Sequence, residues 1–421
     1  MKIRFYNAKI LTMTDSSVID GELWTEDDKI SYVGVPNADT VSTVFDREID
    51  CNGDILMPGI KDAHTHTAMT FARSLSDCYQ LDDWLHKAIF PIEAKLTDEH
   101  IDAFYRLGVA EYLRNGITSC FDMYFSKEAT AKAAVETGFR HVFCGAVNNF
   151  GGIENLESDY IRYNDYDPLI SYRLGFHAEY TTSEDLMKTI SDIAHRHQAP
   201  VYVHISETKA EVEGCIERYG VTPAVLFDRL GLYDFGGGGF HCVWFTDEDR
   251  KIFKDKGLYL VSNACSNLKL ASGIAPISRY INEGQKIAVG TDGAGSNNAL
   301  NMFREMYLTT VLSNIREEDA ASIEPFKILK AATSIGAEAM GLTDCDVLER
   351  GKQADIVRLD MSAPNMQPVN NIVNNIIYSG DTSNVKMTMV AGRILYEDGK
   401  YMTIDTGEVY ERCNRYIKEL K

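Results

Sequence analysis

The sequence is short of basic residues: 42 Lys and Arg stand against 62 Asp and Glu, a formal net charge of −20. A nucleic-acid binder needs basic surface to neutralise phosphates, so that partner class is disfavoured. The same surface repels anionic membranes and polyanionic substrates. Long apolar runs are missing too, since none reaches the roughly 18–20 residues that span a bilayer. The opening MKIRFYNAKILTM has no small-residue cleavage site, which argues against a secretory signal. The nine cysteines are odd in number and include no C-x-x-C pair, so neither a disulfide framework nor a Cys-rich zinc module is expected. A reducing cytoplasm is the expected setting. Internal repeats and low-complexity tracts are also absent. What remains is ordinary globular composition, 45% hydrophobic and 25% charged, over 421 residues. That length suits one large barrel with an appendage, or two or three smaller domains.

Both chain ends are strand-rich. IRFYNAKILTM, KISYVGV and VFDREIDCNGDILMPG near the start, and ADIVRLD and VKMTMVAGRILYEDGKYM near the end, alternate apolar runs with Gly, Asn and Asp punctuation. Residues 1–57 and 349–405 are therefore expected to build one small β-sandwich domain, with a helix over 406–421. Between them, residues 58–348 alternate short apolar runs with amphipathic helical patterns. The expected strands are GIKDAHTH, GITSCFDM, HVFCGAV, YRLGFHAE, APVYVHIS, GGFHCVW, LYLVSN and KIAVGTD. Eight such runs fit a (β/α)8 TIM barrel. An open doubly wound sheet gives a similar string, and the count alone does not separate them.

Barrels of this type keep their active sites at the C-terminal ends of the strands. Here those ends are unusually polar. His64 and His66 close the first strand, and residues two apart on a strand share a face. His177, His204, His241 and Asp292 close later strands, and Glu207 follows His204 by three residues. Each has a bland reading: a strand-end His is commonly a hydrogen-bonded structural group, and an Asp before Gly is a turn former. The coincidence carries the argument. Five of ten histidines, an Asp and a Glu fall on the face this fold uses for chemistry. His86, His100, His141, His195 and His197 do not, and are read as structural or exposed. Imidazole and carboxylate donors suit zinc, iron(II), manganese or nickel, and a set of three His and one Asp leaves a position open for water.

The strings MPGIKDAHTHTAM, VYVHISET, GFHCVWF, SNACSNLKLASGIAPI and VGTDGAGSNN resemble the amidohydrolase superfamily. The similarity is strongest to the 5-methylthioadenosine/S-adenosylhomocysteine deaminases, in the branch that also holds triazine hydrolases and guanine deaminases. It runs over nearly the whole chain. The resemblance implies one divalent metal ion, Zn2+ by default with Fe2+ or Mn2+ as alternatives, held by His64, His66, His204 and Asp292. A carboxylated bridging lysine is not expected, because the YRLGFHAEY strand offers His177 and no lysine at the matching point. It further implies Glu207, His241 and Asp292 as catalytic groups. Asp292 takes a proton from the attacking water, Glu207 delivers one to the ring nitrogen beside the amino-bearing carbon, and His241 hydrogen-bonds the nucleophile and the developing alkoxide. Ammonia leaves. A solvated carboxylate at a helix start is the competing reading of Glu207.

The segment WLHKAIFPIEAKLT resembles the family's substrate-covering loop. Glu93 matches a residue that binds ribose hydroxyls, His177 one that contacts the purine, and Trp84 is placed to shape the pocket or to pack in the core. A purine nucleoside and water are the implied partners, and a homo-oligomer the implied assembly. One departure narrows the substrate. Relatives that accept S-adenosylhomocysteine hold its carboxylate with arginines after the third strand, where this chain has Cys144 and Ile153. The loop carries Glu154, Glu157 and Asp159 before its first arginine, Arg162. A neutral 5′ substituent is therefore expected, as in 5′-methylthioadenosine, 5′-deoxyadenosine or adenosine. A guanine, pterin or triazine-type aminohydrolase is the alternative enzyme, and a non-catalytic barrel homologue the remaining one.

Overall fold

In a computed structural model, which describes residues 1–36, 43–75, 77, 79 and 81–420, the strands divide between two sheets. Strands β1 (Lys2–Leu11), β2 (Val18–Glu26), β3 (Lys29–Gly34), β4 (Arg47–Asp50) and β5 (Ile55–Pro58) come first. The central strands are β6 (Ile60–Thr65), β7 (Ile117–Asp122), β8 (Arg140–Cys144), β9 (Ile170–Ala178), β10 (Val201–Ile205), β11 (Gly237–His241), β12 (Tyr259–Ser262) and β13 (Lys286–Val289). Then follow β14 (Ile356–Leu359), β15 (Val385–Val390), β16 (Arg393–Glu397) and β17 (Lys400–Tyr401).

The first five and last four strands form one nine-stranded mixed sheet, ordered β17-β16-β15-β14-β5-β1-β2-β3, with β4 paired to β1. β5 joins the two chain ends, running parallel to β1 and antiparallel to β14. Its short apolar run is buried on both faces, as the period of two requires. Leu56 packs with Ile3, Phe5, Ile10 and Ile356 inside the β layer, whereas Ile55 and Met57 join the cluster around the barrel helices. Strand β2 escaped the pattern reading because Asp20-Gly21 looks like a turn. Gly21 is there for proximity: a Cβ on it would lie 2.2 Å from the Gly34 carbonyl oxygen of β3.

The eight central strands pair in parallel and in chain order, β6 through β13, the arrangement of a (β/α)8 barrel. Ala63, Phe121, Val142, Tyr202, Phe240, Val261 and Ala288 fill its interior. Outside it the helices turn apolar stripes inward. In Asp98–Arg114 the buried residues include Ile101, Phe104, Tyr105, Val109, Tyr112 and Leu113, a helical spacing, and Thr97 caps the start. The C-terminal helix, Thr406–Leu420, lies against it and buries Val409, Cys413, Tyr416 and Leu420. Lys421 lies outside the described residues.

The barrel closes where β13 meets β6. The Asp292 N–H donates to the His64 carbonyl at 2.9 Å, and the Thr291 N–H donates to Asp62 at 2.8 Å. Gly290 permits the approach, since a Cβ there would stand 2.5 Å from the His64 nitrogen. The seam thus delivers two of the expected site residues to one point.

Candidate active site

Burial sets the terms at the C-terminal mouth. His64 is fully buried, and its ring stacks on Phe240 with centroids 3.8 Å apart. His66 follows β6 and donates from Nδ1 to the Met123 carbonyl at 2.7 Å. His204, near the end of β10, donates from Nδ1 to the His177 carbonyl at 2.6 Å. A carbonyl oxygen only accepts, so both Nδ1 atoms carry hydrogen and both Nε2 atoms offer lone pairs when the rings are neutral. The Nε2 atoms of His204 and His64 lie 3.1 Å apart. Asp292 Oδ1 stands 3.2 Å from His66 Nε2 and 3.5 Å from His64 Nε2. Its Oδ2 is occupied, accepting from Ser266 Oγ at 2.6 Å and Ser296 Oγ at 2.8 Å. A left-handed backbone at Asp292, φ 60°, turns the side chain inward.

These donors fit a cation. His64, His66 and His204 have ligand atoms within 4.8 Å of one another, as do His64, His241 and Asp292. Lone pairs and a carboxylate facing one another repel unless positive charge joins them. Burial pushes the His64 imidazolium down to about 3 and His204 well below its usual range, which keeps both rings neutral. Burial works the same way on His66, but the Asp292 hydrogen bond prevails and raises it to about 9. Asp292 is held well below the carboxylate range: burial opposes this, and the His64 and His66 hydrogen bonds prevail. Protons and a cation therefore compete for the same atoms. The carbonyl bonds behind His66 and His204 are the backing such ligands usually have.

A third group, Cys120, Asp122 and His141, sits between the barrel wall and the helix Asp98–Arg114. There Cys120 and Tyr105 face His141 Nδ1, at 3.4 and 3.0 Å, while Asp122 faces Nε2 at 3.8 Å. Their ligand atoms also lie within 4.8 Å of one another, but the group is away from the pocket that the other two clusters line.

The remaining expected residues surround the His/Asp cluster. Glu207 is only 6% exposed, which removes the reading of a solvated helix-start carboxylate. It accepts from Ser272 Oγ at 3.0 Å and stands 3.8 Å from His241 Nε2. Burial raises its pKa. His241 Nδ1 is paired to Asn267 Oδ1 at 2.8 Å. His66, Trp84, Glu93, His177, His204, Glu207, His241 and Asp292 all line one pocket, with His64 beneath its floor. Glu93 accepts from Tyr124 OH at 2.7 Å, and burial raises its pKa. His177 pairs with Thr181 Oγ1 at 2.9 Å, and burial pushes its imidazolium down to about 4. Trp84 lines the pocket and also packs in the core.

The segment expected as a covering loop is helical over Leu81–Glu93, with a π-helical turn at Leu85–Ile89. Pro91 has no N–H, and its ring crowds the carbonyl four residues back, so the coil widens and Phe90 N–H reaches Leu85 O. The acidic loop needs a correction. Glu157 pairs with Arg196 and His197, and Asp159 with Lys127, so neither is a free charge facing the pocket. None of the described residues lining the pocket is Lys or Arg. The supporting residues Ser266, Asn267, Ser272, Ser296 and Tyr124 were not singled out in the sequence. The first three lie within SNACSNLKLASGIAPI, whose polar positions alternate with small ones and were the available signal. The other five histidines do structural work or lie outside: His100 caps a helix, and His195 and His197 pair with Asp234 and Glu157.

A parallel eight-stranded barrel with a convergent His/Asp donor set at its C-terminal mouth defines the metal-dependent barrel hydrolases as a class. The sequence pattern of the amidohydrolase family matches residues 55–395, and the chain belongs to that family. It is 34% identical over 430 residues to a 5-methylthioadenosine/S-adenosylhomocysteine deaminase of Caldanaerobacter subterraneus, covering 100% of this chain and 99% of that one. It is 35% identical to a 5′-deoxyadenosine deaminase of Methanobrevibacter smithii, covering 99% and 97%. An adenosine deaminase from Xanthomonas campestris, solved with zinc bound, superposes with a TM-score of 0.94 at 28% identity, over 100% of this chain and 98% of that one. A guanine deaminase from C. acetobutylicum shares the fold, with a TM-score of 0.83 at 19% identity, over 94% and 100%. No described helix is long and apolar enough to cross a membrane.

Proposed function

We propose that the chain is a metal-dependent hydrolytic deaminase of an adenine nucleoside, yielding ammonia and the inosine analogue. One observation carries the reading: the buried carboxyl of Glu207 sits beside the His/Asp cluster, between Ser272 and His241. His64, His66, His204 and Asp292 would hold one divalent cation, with zinc the first candidate and iron(II) or manganese next. When bound, such an ion lowers the pKa of water towards about 7 and so makes a nucleophile available at neutral pH.

The chain's own groups do the rest. Asp292 accepts the proton of the attacking water through Oδ1, because Oδ2 is engaged by two serines. Glu207, whose pKa is raised by burial, keeps a proton nearer neutrality and gives it to the ring nitrogen next to the reacting carbon. His241, fixed by Asn267, hydrogen-bonds the developing alkoxide. The proton taken by Asp292 passes to the amino group, so that the carbon–nitrogen bond breaks and ammonia leaves as the carbonyl forms. Glu93 binds the ribose hydroxyls, His177 contacts the purine, and Trp84 walls the pocket. Exclusion of water follows from the helical cover carrying Trp84 and Glu93.

A neutral 5′ substituent is favoured, because the described lining offers no cation to a carboxylate. The relative named for 5′-deoxyadenosine supports it, whereas the one named for 5-methylthioadenosine is named for S-adenosylhomocysteine as well. The eight described cysteines are buried free thiols, which fits a reducing cytoplasm. The test is ammonia release from a panel of 5′-methylthioadenosine, 5′-deoxyadenosine, adenosine, S-adenosylhomocysteine, guanine and triazines with metal-replete enzyme. Higher kcat/KM for S-adenosylhomocysteine than for 5′-methylthioadenosine would overturn the 5′ assignment. Release from guanine or triazines alone would overturn the nucleoside.

A further inference from the structure

β10 ends at Ile205, and the chain must turn sharply to aim Glu207 at the pocket. Ser206 makes the turn in a left-handed conformation, φ 50°. Thr208 then caps the helix Lys209–Tyr219, and Thr208 to Glu211 spells the T-x-x-E of a capping box. Thr208 Oγ1 accepts from the Glu211 N–H at 3.1 Å. The Thr208 N–H is the weakest of the three amides that pull on the Glu211 carboxylate. The carboxylate reaches past it and accepts from the N–H groups of Ser206 at 2.6 Å and Glu207 at 2.9 Å. Two successive amides converging on one anion form a nest, and here the anion is a side chain of the protein itself.

That contact is expensive to keep. Glu211 is 6% exposed, and burial raises its pKa against the pull of the amides it accepts from. A helix start needs no such carboxylate, because Thr208 already caps it. The amides it binds belong to the turn that launches the Glu207 side chain towards Ser272 and His241. The Ser206 carbonyl is fixed from the other side by the Trp244 N–H at 2.9 Å, so Glu211 supplies the second anchor of the turn.

We propose that Glu211 is a positioning residue for Glu207: by binding the amides of Ser206 and Glu207, it sets the direction of the Glu207 carboxyl at the reacting ring nitrogen. This rests on the deaminase reading of Glu207. Glu211→Gln keeps the shape but offers one acceptor and sets an NH2 against the second amide. It should bind metal as the parent does, leave KM little changed and lower kcat by up to about 10²-fold, the cost of a misplaced catalytic group. Thr208→Ala weakens the same helix start without touching the two amides and should leave kcat unchanged. Glu211→Asp, which is too short for both amides, takes the place of Glu211→Gln should the latter not fold, and should also lower kcat. A crystal structure of the folding variant should show Glu207 parted from Ser272. Unchanged kcat, metal loss in step with activity, or an equal loss in Thr208→Ala overturns the proposal. Absence of ammonia release by the parent protein would instead overturn the deaminase reading, and the Glu207–Ser272 contact still decides the role of Glu211.

Discussion

Lys61 and His64 lie on the same strand, β6, and both are completely buried, yet their surroundings answer burial in opposite ways. At the N-terminal end, Lys61 Nζ meets Thr118 at 2.9 Å, Asp355 at 3.2 Å and the Cys345 sulfur at 3.5 Å. Asp355 also receives Arg140 at 2.9 and 3.0 Å and the Ala391 N–H at 2.8 Å. Every donor there has its acceptor, and the cluster ties the barrel to β14 of the mixed sheet. At the other end the atoms that meet are lone pairs and a carboxylate, and His64 Nδ1 has no partner among the described residues. Satisfied charge holds a structure together, whereas charge left unsatisfied in a buried place is reserved for a ligand.

Breaking each end separately tests that contrast. Asp292→Asn removes the carboxylate while suiting the left-handed backbone, since Asn tolerates that region. Metal content should collapse and deamination fall by about 10³-fold or more, while unfolding measured under chelator should change far less than in Asp355→Ala. Asp355→Ala should do the reverse. It strands Lys61 and Arg140 as buried charges, and denaturant unfolding should show a loss of about 3–5 kcal/mol while the folded fraction keeps its kcat. Its pH dependence follows in sign. Burial opposes ionisation of Asp355, but Arg140 and Lys61 prevail and hold its pKa well below the usual value. The stabilisation is therefore present above the unfolded pKa of about 4 and is lost only as the pH falls through the depressed folded value. The parent protein should outlast Asp355→Ala most clearly at neutral pH and lose that advantage in strong acid. A smaller effect belongs to Glu93, whose partner Tyr124 keeps it aimed at the pocket. Glu93→Gln should lower kcat/KM for a nucleoside by about tenfold to a hundredfold and leave free adenine unaffected, as parallel ammonia-release assays would show.

Much of this was legible in the chain itself, for a physical reason. Strand-end histidines and Asp292 interrupt apolar runs of period two, so His64, His66, His204, His241 and Asp292 stand out wherever the barrel is recognised. The supporting residues do not stand out. Ser266 and Ser296 reach Asp292 across folded distance, and an isolated serine has no periodicity to betray it. The π-helical turn over Leu85–Ile89 depends on what Pro91 does to a coil already formed. The acidic residues Glu157 and Asp159 looked like a repulsive wall because their partners, Arg196, His197 and Lys127, come from other helices.

The seam at Gly290 has a consequence for how the protein is made. Asp292 meets His64 only where the first and last barrel strands touch, 228 residues apart in sequence. A growing chain that has emerged only as far as β12 has all three imidazoles and no carboxylate to join them. If His64, His66, His204 and Asp292 hold a cation as proposed, loading would wait on ring closure, and a captured ion would mark a finished barrel. A chain truncated between β12 and β13 would forfeit that proposed centre even when most of its helices have formed.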